Sequence, residues 1–339
     1  MGRLNLNAQI EQWPLKSPFR ITGHIWEELQ VLLVTLERDG QIGRGEAAGV
    51  YYRKDVPAAM LRHLELVRSK VESGITREGL QKLLPAGGAR NALDCALWDL
   101  EAQASGRPVW QIAGLEKPEP LLTTFTCSAD APEAMAATAQ AYREARAIKL
   151  KLTGEHLDGE RVRVVRAACP DVWLGVDGNQ GFTRDSLEKL LPTLIEARVA
   201  LIEQPFPIGA EALLDELDSP IAIAADESVQ SLADIADLVD RVQVINIKLD
   251  KCGGLTEGFA MARAARGAGL ECMVGNMIGT SLAMAPACVL GQLCKYVDLD
   301  GPVFLKSDRA TSVRYASGFI TCPERLWGSP RAAPAPALA

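Results

Sequence analysis

Histidine is scarce in this chain of 339 residues: His24, His63 and His156 are the only three, and they lie far apart. A zinc site built on imidazoles is therefore not expected. Paired cysteines are missing too. The eight cysteines form no C-x-x-C pair, and most sit in apolar surroundings, the pattern of buried free thiols in a reducing compartment. There is no basic excess, the formal net charge being −7, so a phosphate backbone is not an expected partner. No apolar run reaches the roughly 18 residues of a membrane span. The opening MGRLNLNAQIEQW has no apolar stretch of the signal-peptide kind. What remains is cytoplasmic chemistry on a small molecule, with no nucleic acid and no membrane. Self-association into a homo-oligomer stays open.

The chain has ample apolar content, 48%, for a large core. Residues 3–12 and 28–37 read as strands, joined by SPFRITGHIWEE as a loop. Residues 56–83 read as helical. A further helix carries Leu93, Ala96, Leu97 and Leu100 at helical spacing and ends at Gly106. These elements make residues 1–115 a small α+β domain.

From about residue 120 the pattern becomes a repeat. Eight short apolar strands, LLTTFTCS, AIKLKL, WLGVDGN, ALIEQP, IAIAADES, VQVINIKL, LECMVGNM and KYVDLDGP, alternate with amphipathic helices. Their polar residues recur at intervals of 22–26 positions. That period predicts parallel βαβ units, and eight of them predict a (β/α)8 barrel over residues 116–301. Residues 302–327 are expected to return to the first domain. Residues 328–339, rich in Pro and Ala, are expected to be a disordered tail.

Barrel chemistry sits at the C-terminal strand ends. Here those ends carry groups unsuited to a core: Lys149 and Lys151, then Asp177 with Asn179, Glu203, Asp226, Lys248, and finally Asp298 with Asp300. Taken alone, each acid is an ordinary cap or turn residue and each lysine an ordinary rim residue. Together, Asp177, Glu203 and Asp226 on three consecutive strands would repel one another. A hard divalent cation removes the conflict, and oxygen donors with retained waters suit Mg2+. The two lysines of AIKLKL share a strand face, because side chains at i and i+2 do. A lysine acts as a base only when neutral. A neighbouring ammonium, a cation and burial would all favour that form. Lys151 and Lys248, on opposite strands, would then approach a metal-held carboxylic acid from two sides. Lys149 and the cation would receive the charge that develops when the α-proton leaves. The expected outcome is racemisation or epimerisation.

The motifs A-L-D-x-A-L-W-D-L (Ala92–Leu100), K-L-K, D-G-N, E-Q-P, A-D-E-S and N-I-K-L-D-K-C-G-G (Asn246–Gly254) resemble the enolase superfamily, muconate-lactonising branch, dipeptide epimerase family. The resemblance runs almost to Trp327. It implies an α/β, enolase-like fold: an N-terminal capping domain and a modified (β/α)7β barrel. It also implies one Mg2+ per chain on Asp177, Glu203 and Asp226, with catalytic roles for Lys149, Lys151 and Lys248. The implied activity is inversion of the C-terminal residue of a dipeptide, of the L-Ala-D/L-Glu kind. In such enzymes the Asp298–Asp300 motif looks like the holder of the free α-ammonium. Asn179, Met277 and Ile278 are implied to contact substrate. In the capping loop, His24 stands where the family's Glu-preferring members carry arginine, with Arg20 nearby. Phe19 and Trp26 are candidates for an apolar subsite, or for plain packing between domains. Gly279, Thr280 and Ser281 depart from the family's usual Glu-Ser. An N-acylamino acid racemase is the alternative. A lyase or cycloisomerase on the same scaffold, or a non-catalytic binder, is less consistent with two facing lysines and the Asp pair.

Overall fold

The computed structural model describes residues 3–21 and 24–330, while the side chain of His24 and most of the expected tail, residues 331–339, lie outside the described residues. The capping region opens with a long antiparallel hairpin, β1 (Asn5–Ile21) and β2 (His24–Arg38), to which β3 (Gln41–Ala47) adds, in the order β1-β2-β3. The expected loop between the first two strands is mostly hairpin. Pro14 pairs with Glu28 and Phe19 with Trp26, and the residues between Pro14 and Phe19 bulge out. Two prolines, Pro14 and Pro18, are tolerated because β1 is an edge strand and the bulge needs no ladder N–H from them.

The expected helix over 56–83 is two: α1 (Pro57–Glu72) and α2 (Arg77–Leu83). Gly74, with φ +103, breaks the run, and the Thr76 side chain caps the second helix by accepting the Gly79 N–H at 3.1 Å. α3 (Gly88–Ser105) ends, as its spacing predicts, at a left-handed Gly106. It lies directly on β3. A Cβ on Gly43 or Gly45 would come within 2.1 or 2.0 Å of the Ala96 or Ala92 carbonyl, so only glycine permits the approach. On its other side α3 bonds to the barrel. Arg90 donates to the Gly253 carbonyl at 3.2 Å, and Asp94 accepts the Thr256 N–H at 2.9 Å. A short helix α4 (Val109–Ile112) follows.

The expected first barrel strand divides. β4 (Leu121–Leu122) pairs instead with β14 (Phe319–Thr321), itself paired with β13 (Arg314–Ala316); the barrel begins at β5 (Phe125–Cys127). The chain then alternates through α5 (Pro132–Ala141), β6 (Ala147–Lys151), α6 (Asp158–Ala168), β7 (Trp173–Asp177), α7 (Arg184–Glu196), β8 (Val199–Glu203), β9 (Ala222–Ala225), β10 (Val244–Lys248), α8 (Leu249–Cys252), α9 (Leu255–Gly267), β11 (Glu271–Gly275), α10 (Ser281–Gly291) and β12 (Tyr296–Val297). All eight barrel strands are parallel, in order β5 to β12. The Thr124 N–H donates to the Val297 carbonyl at 3.0 Å and draws the two edges together. Among the described residues no α-helix follows β12, so the barrel is of the (β/α)7β kind. Two of the expected helices are only 3-10 turns, Glu211–Leu214 and Leu232–Leu238. Pro205, Pro207 and Gly209 break the start of the segment after β8 and Pro220 closes it, which disfavours a long helix there.

Alternation along the strands explains the layout. Ile148, Leu150, Val176, Ile202, Ile245 and Ile247 face outward into the main core under the helices. The barrel floor is a separate cluster of Leu201, Ala224, Val244 and Met273, closed by Trp173 against Tyr296 at 5.7 Å. One strand step above that floor, every inward position is polar or glycine. Among the described residues no helix is long and apolar enough to cross a membrane.

Candidate active site

Parallel register carries the charged residues to one level. Lys149 lies opposite Gly175, Lys151 opposite Asp177, Asp177 opposite Glu203, and Lys248 opposite Gly275. Asp226 follows the last residue of β9. Asp177, Glu203 and Asp226 are all buried and each offers an oxygen within 4.8 Å of the others. Burial, reinforced by the charge of Asp177, pushes the Glu203 carboxyl up to about 7. Burial acts on Asp226 in the same direction, but the Lys248 and Lys251 ammonium groups overcome it and hold that carboxyl well below the usual range.

The lysines do not face one another unmatched. Lys151 Nζ lies 2.6 Å from Asp177, and Lys248 Nζ lies 2.6 Å from Asp226. Lys149 bonds closely to Asp298 and sits 3.2 Å from Glu203 and 3.6 Å from Asp177. Burial alone would favour the neutral amine at Lys149 and Lys248. The surrounding carboxylates outweigh it and hold both above the usual lysine range. At these two lysines the expected lowering is therefore not produced by the protein groups alone: each lies beside acids that the sequence did not show to be so near.

Four further residues complete the charged layer. Lys251 Nζ bonds to Asp226 at 2.5 Å and to the Asn246 carbonyl at 3.0 Å. Asn246 donates through Nδ2 to Glu203 at 2.8 Å. Gln204, at φ +35, accepts the backbone N–H groups of Asp226 and Ser228 at 2.9 and 3.0 Å and so ties the end of β8 to the end of β9. Glu227 accepts from Asn179 at 3.2 Å. The signal for these four was in view, since all lie inside the motifs quoted above. Gly275 makes room for Asn246: a Cβ there would fall 2.5 Å from its Oδ1 and 2.9 Å from Lys248 Cε. Gly275→Ala is therefore expected to cut turnover at least about tenfold, on the scale of a misplaced catalytic group. Its melting temperature should change little beside that loss, which calorimetry alongside initial rates would check.

The donor set suits a hard divalent cation. Counting Glu227, Asp298 and Asp300 with the triad, six buried carboxylates face four buried lysines, Lys149, Lys151, Lys248 and Lys251. Fully ionised, the set would carry a surplus of two negative charges. Without a cation, burial and the neighbouring acids push Glu203 up to about 7 and Glu227 up to about 8, so protons take up part of it. Glu227 Oε2 and Asn179 Oδ1 are buried without a protein partner, acceptors of the kind that the retained waters of Mg2+ require.

Above the carboxylates lies a cavity of about 370 Å3. Lys149, Lys151, Lys248, Asp226 and Asn179 form its depth, and Asp298 and Asp300 one side. Phe19, Trp26, Met277 and Ile278 line its mouth. Phe19 packs on Trp26 at 5.8 Å and on Phe304 at 4.7 Å, and Trp26 on Tyr51 at 4.9 Å. Tyr51 and Phe304 also line the cavity; no motif marked them, because they come from distant segments. Arg20 is exposed and is not among the lining residues. The Asp298–Asp300 motif lies beyond the end of β12 rather than on a strand face. Asp298 is bonded to Lys149 and the Thr124 hydroxyl. Asp300 accepts the Thr126 N–H at 2.7 Å, and burial together with Asp298 pushes its carboxyl up to about 6.

Two family descriptions match the chain: "Mandelate racemase / muconate lactonizing enzyme, N-terminal domain" over residues 4–114, and "Enolase C-terminal domain-like" over residues 134–326. The L-Ala-D/L-Glu epimerase of Escherichia coli K12 is 38% identical over 310 residues, 91% of this chain and 96% of that one. Among solved structures, an enolase family member from Agrobacterium tumefaciens with bound sodium and L-Ala-L-Glu superposes with TM-score 0.92 at 38% identity, covering 96% of this chain and 100% of its own. The dipeptide epimerase of Methylococcus capsulatus, complexed with Mg and L-Arg-D-Lys, gives 0.89 at 32% identity over 95% and 98%. With the two-part fold, the carboxylate triad and this similarity along nearly its whole length, the chain belongs to the mandelate racemase/muconate lactonizing enzyme family of the enolase superfamily, among its racemases and epimerases.

Proposed function

We propose that the protein is a Mg2+-dependent dipeptide epimerase of the L-Ala-D/L-Glu kind, moving the α-proton of the C-terminal residue between two lysines. One observation carries this reading. Lys151 on β6 and Lys248 on β10 stand across the barrel, with three strands between them in either direction, and each bonds a different acid of the triad. The similar proteins' own substrates, alanyl-glutamate among them, point the same way.

Asp177, Glu203 and Asp226 would hold one Mg2+ per chain. When bound, it supplies a Lewis acid for the substrate carboxylate and makes the α-proton easier to remove. One of Lys151 and Lys248, as the neutral amine, takes the proton from Cα; the other, as ammonium, returns a proton to the opposite face. Lys149, kept charged by Asp298, Glu203 and Asp177, donates to the negative charge that develops on the carboxylate. Asp300, whose raised carboxyl would be relieved by a cation, receives the dipeptide ammonium together with Asp298. Phe19, Trp26, Met277 and Ile278 wall the side chain and keep out water. Free thiols at all eight cysteines fit a cytoplasmic enzyme.

One observation favours racemisation of an N-acyl amino acid instead: Asp298 is already paired with Lys149, so it does not wait for an ammonium. Incubation with Mg2+ in D2O separates the two. Deuterium is expected at Cα of L-Ala-L-Glu, with inversion of that centre, read by mass spectrometry and chiral chromatography. Label confined to N-acyl amino acids would overturn the dipeptide reading.

A further inference from the structure

The segment Asn276–Thr280 follows β11 and carries Met277 and Ile278 to the cavity. It is pinned at both ends, by different parts of the molecule. At its start, Asn276 donates to the Asp298 carbonyl at 2.5 Å, a contact within the barrel. At its end, Thr280 is held by the cap. Glu46, fully buried at the end of β3, accepts the Thr280 N–H at 2.7 Å and also the Thr280 hydroxyl. Arg309 closes the group. It lies 2.6 Å from Glu46 and 2.6 Å from Glu11 on β1, and donates to the Thr280 hydroxyl at 2.9 Å. Its guanidinium also stands 4.8 Å from the Trp13 ring. Trp13 belongs to the same apolar cluster as Phe19, Trp26, Ile278 and Phe304.

Glu46 itself does not line the cavity. A buried carboxylate needs its partners. Here Thr280 ends the segment that carries Met277 and Ile278 to the cavity, and Arg309 lies over Trp13 of the apolar cluster that includes Ile278. We infer that Glu46, with Arg309, is a positioning residue: it sets where Met277 and Ile278 stand against the substrate side chain, and so governs which side chains are accepted. The inference rests on the epimerase reading and deepens it. It also accounts for threonine after Gly279, because a residue there must offer both a hydroxyl and an N–H to the cap.

Glu46→Gln keeps the size and removes the charge that holds Arg309. Thr280→Val removes the hydroxyl but leaves the Glu46–Arg309 pair, and so serves if Glu46→Gln does not fold. Thr280→Ser restores the hydroxyl. Rates with L-Ala-X dipeptides, X running from Ala to Glu, Leu and Phe, are compared with melting temperatures. Glu46→Gln and Thr280→Val are expected to raise KM about tenfold and to change the ratio of kcat/KM between large and small X by about as much, in line with what a repositioned pocket wall discriminates. The change in kcat should be smaller than the change in KM, and Thr280→Ser should return both to within about twofold of the parent. A lowered melting temperature with KM and the side-chain ratio unchanged would overturn the inference and leave Glu46 a structural residue. Failure of the parent protein to exchange α-protons in any dipeptide would instead defeat the epimerase reading, and this inference with it.

Discussion

Lys151→Ala and Lys248→Ala are each expected to lower epimerisation by on the order of 10²–10⁴-fold, the usual contribution of a positioned acid or base. The diagnostic result is what survives. Each variant keeps one lysine on one face, so each should still exchange the α-proton of one stereoisomer with solvent deuterium, and the two variants should keep opposite stereoisomers. The geometry requires this asymmetry because no other described lysine lining the cavity, Lys149 apart, offers an amine, and Lys149 is engaged by three carboxylates. Removing Lys151 also strips Asp177 of its nearest ammonium, at 2.6 Å, so metal affinity should be measured beside exchange. Full epimerisation by either variant, or loss of exchange with both isomers by one variant that still binds Mg2+, would defeat the two-base scheme.

Chelation of the cation is expected to abolish turnover entirely, and its rebinding should depend on pH in one direction. Glu203, pushed up to about 7, has to give up its proton before it can serve as a ligand. Mg2+ affinity should therefore fall about tenfold per pH unit below 7 and level off above it. The sign for stability follows from the same shift. A carboxyl raised in the folded state binds its proton more tightly there than in the unfolded chain, so the cation-free protein gains from Glu203 at low pH. It loses that gain as the pH rises from the ordinary glutamate range through about 7. Added Mg2+ should raise the melting temperature most at pH 8 and little at pH 5.5. Isothermal titration in buffers of different ionisation enthalpy would count the proton released near pH 6. An affinity indifferent to pH across 6–8 would remove Glu203 from the ligand set.

The barrel and the layer of charged residues at its strand ends were legible because both follow from short-range rules. Period-two alternation fixed which of Ile148, Lys149, Leu150 and Lys151 face inward, and the even strand spacing brought Asp177, Glu203 and Asp226 to one level. The two strands of the hairpin were legible in part, at 3–12 and 28–37, but their extension towards the turn was not: Pro18 read as part of a loop, and only the pairing of Phe19 with Trp26 across an edge strand shows it to be compatible with a ladder. The 3-10 turns after β8 and β9 were missed because the even strand spacing implies a helix in every interval and does not show which intervals hold only a turn. Pairing between charged groups was the largest gap. Spacing placed Lys149 near Lys151, but the approach of Asp298 from across the barrel edge depends on closure, which no local pattern encodes.

Helix α3 has almost no free face: β3 covers one side through Gly43 and Gly45, and the loop and helix after Lys248 grip the other through Arg90 and Asp94. Anyone grafting the substrate-facing cap of one relative onto the barrel of another would cut through this joint. A chimera keeps its register only if Gly253, Gly254 and Thr256 travel with the helix that they seat, so in engineering terms the transplantable unit crosses the apparent boundary between the two halves.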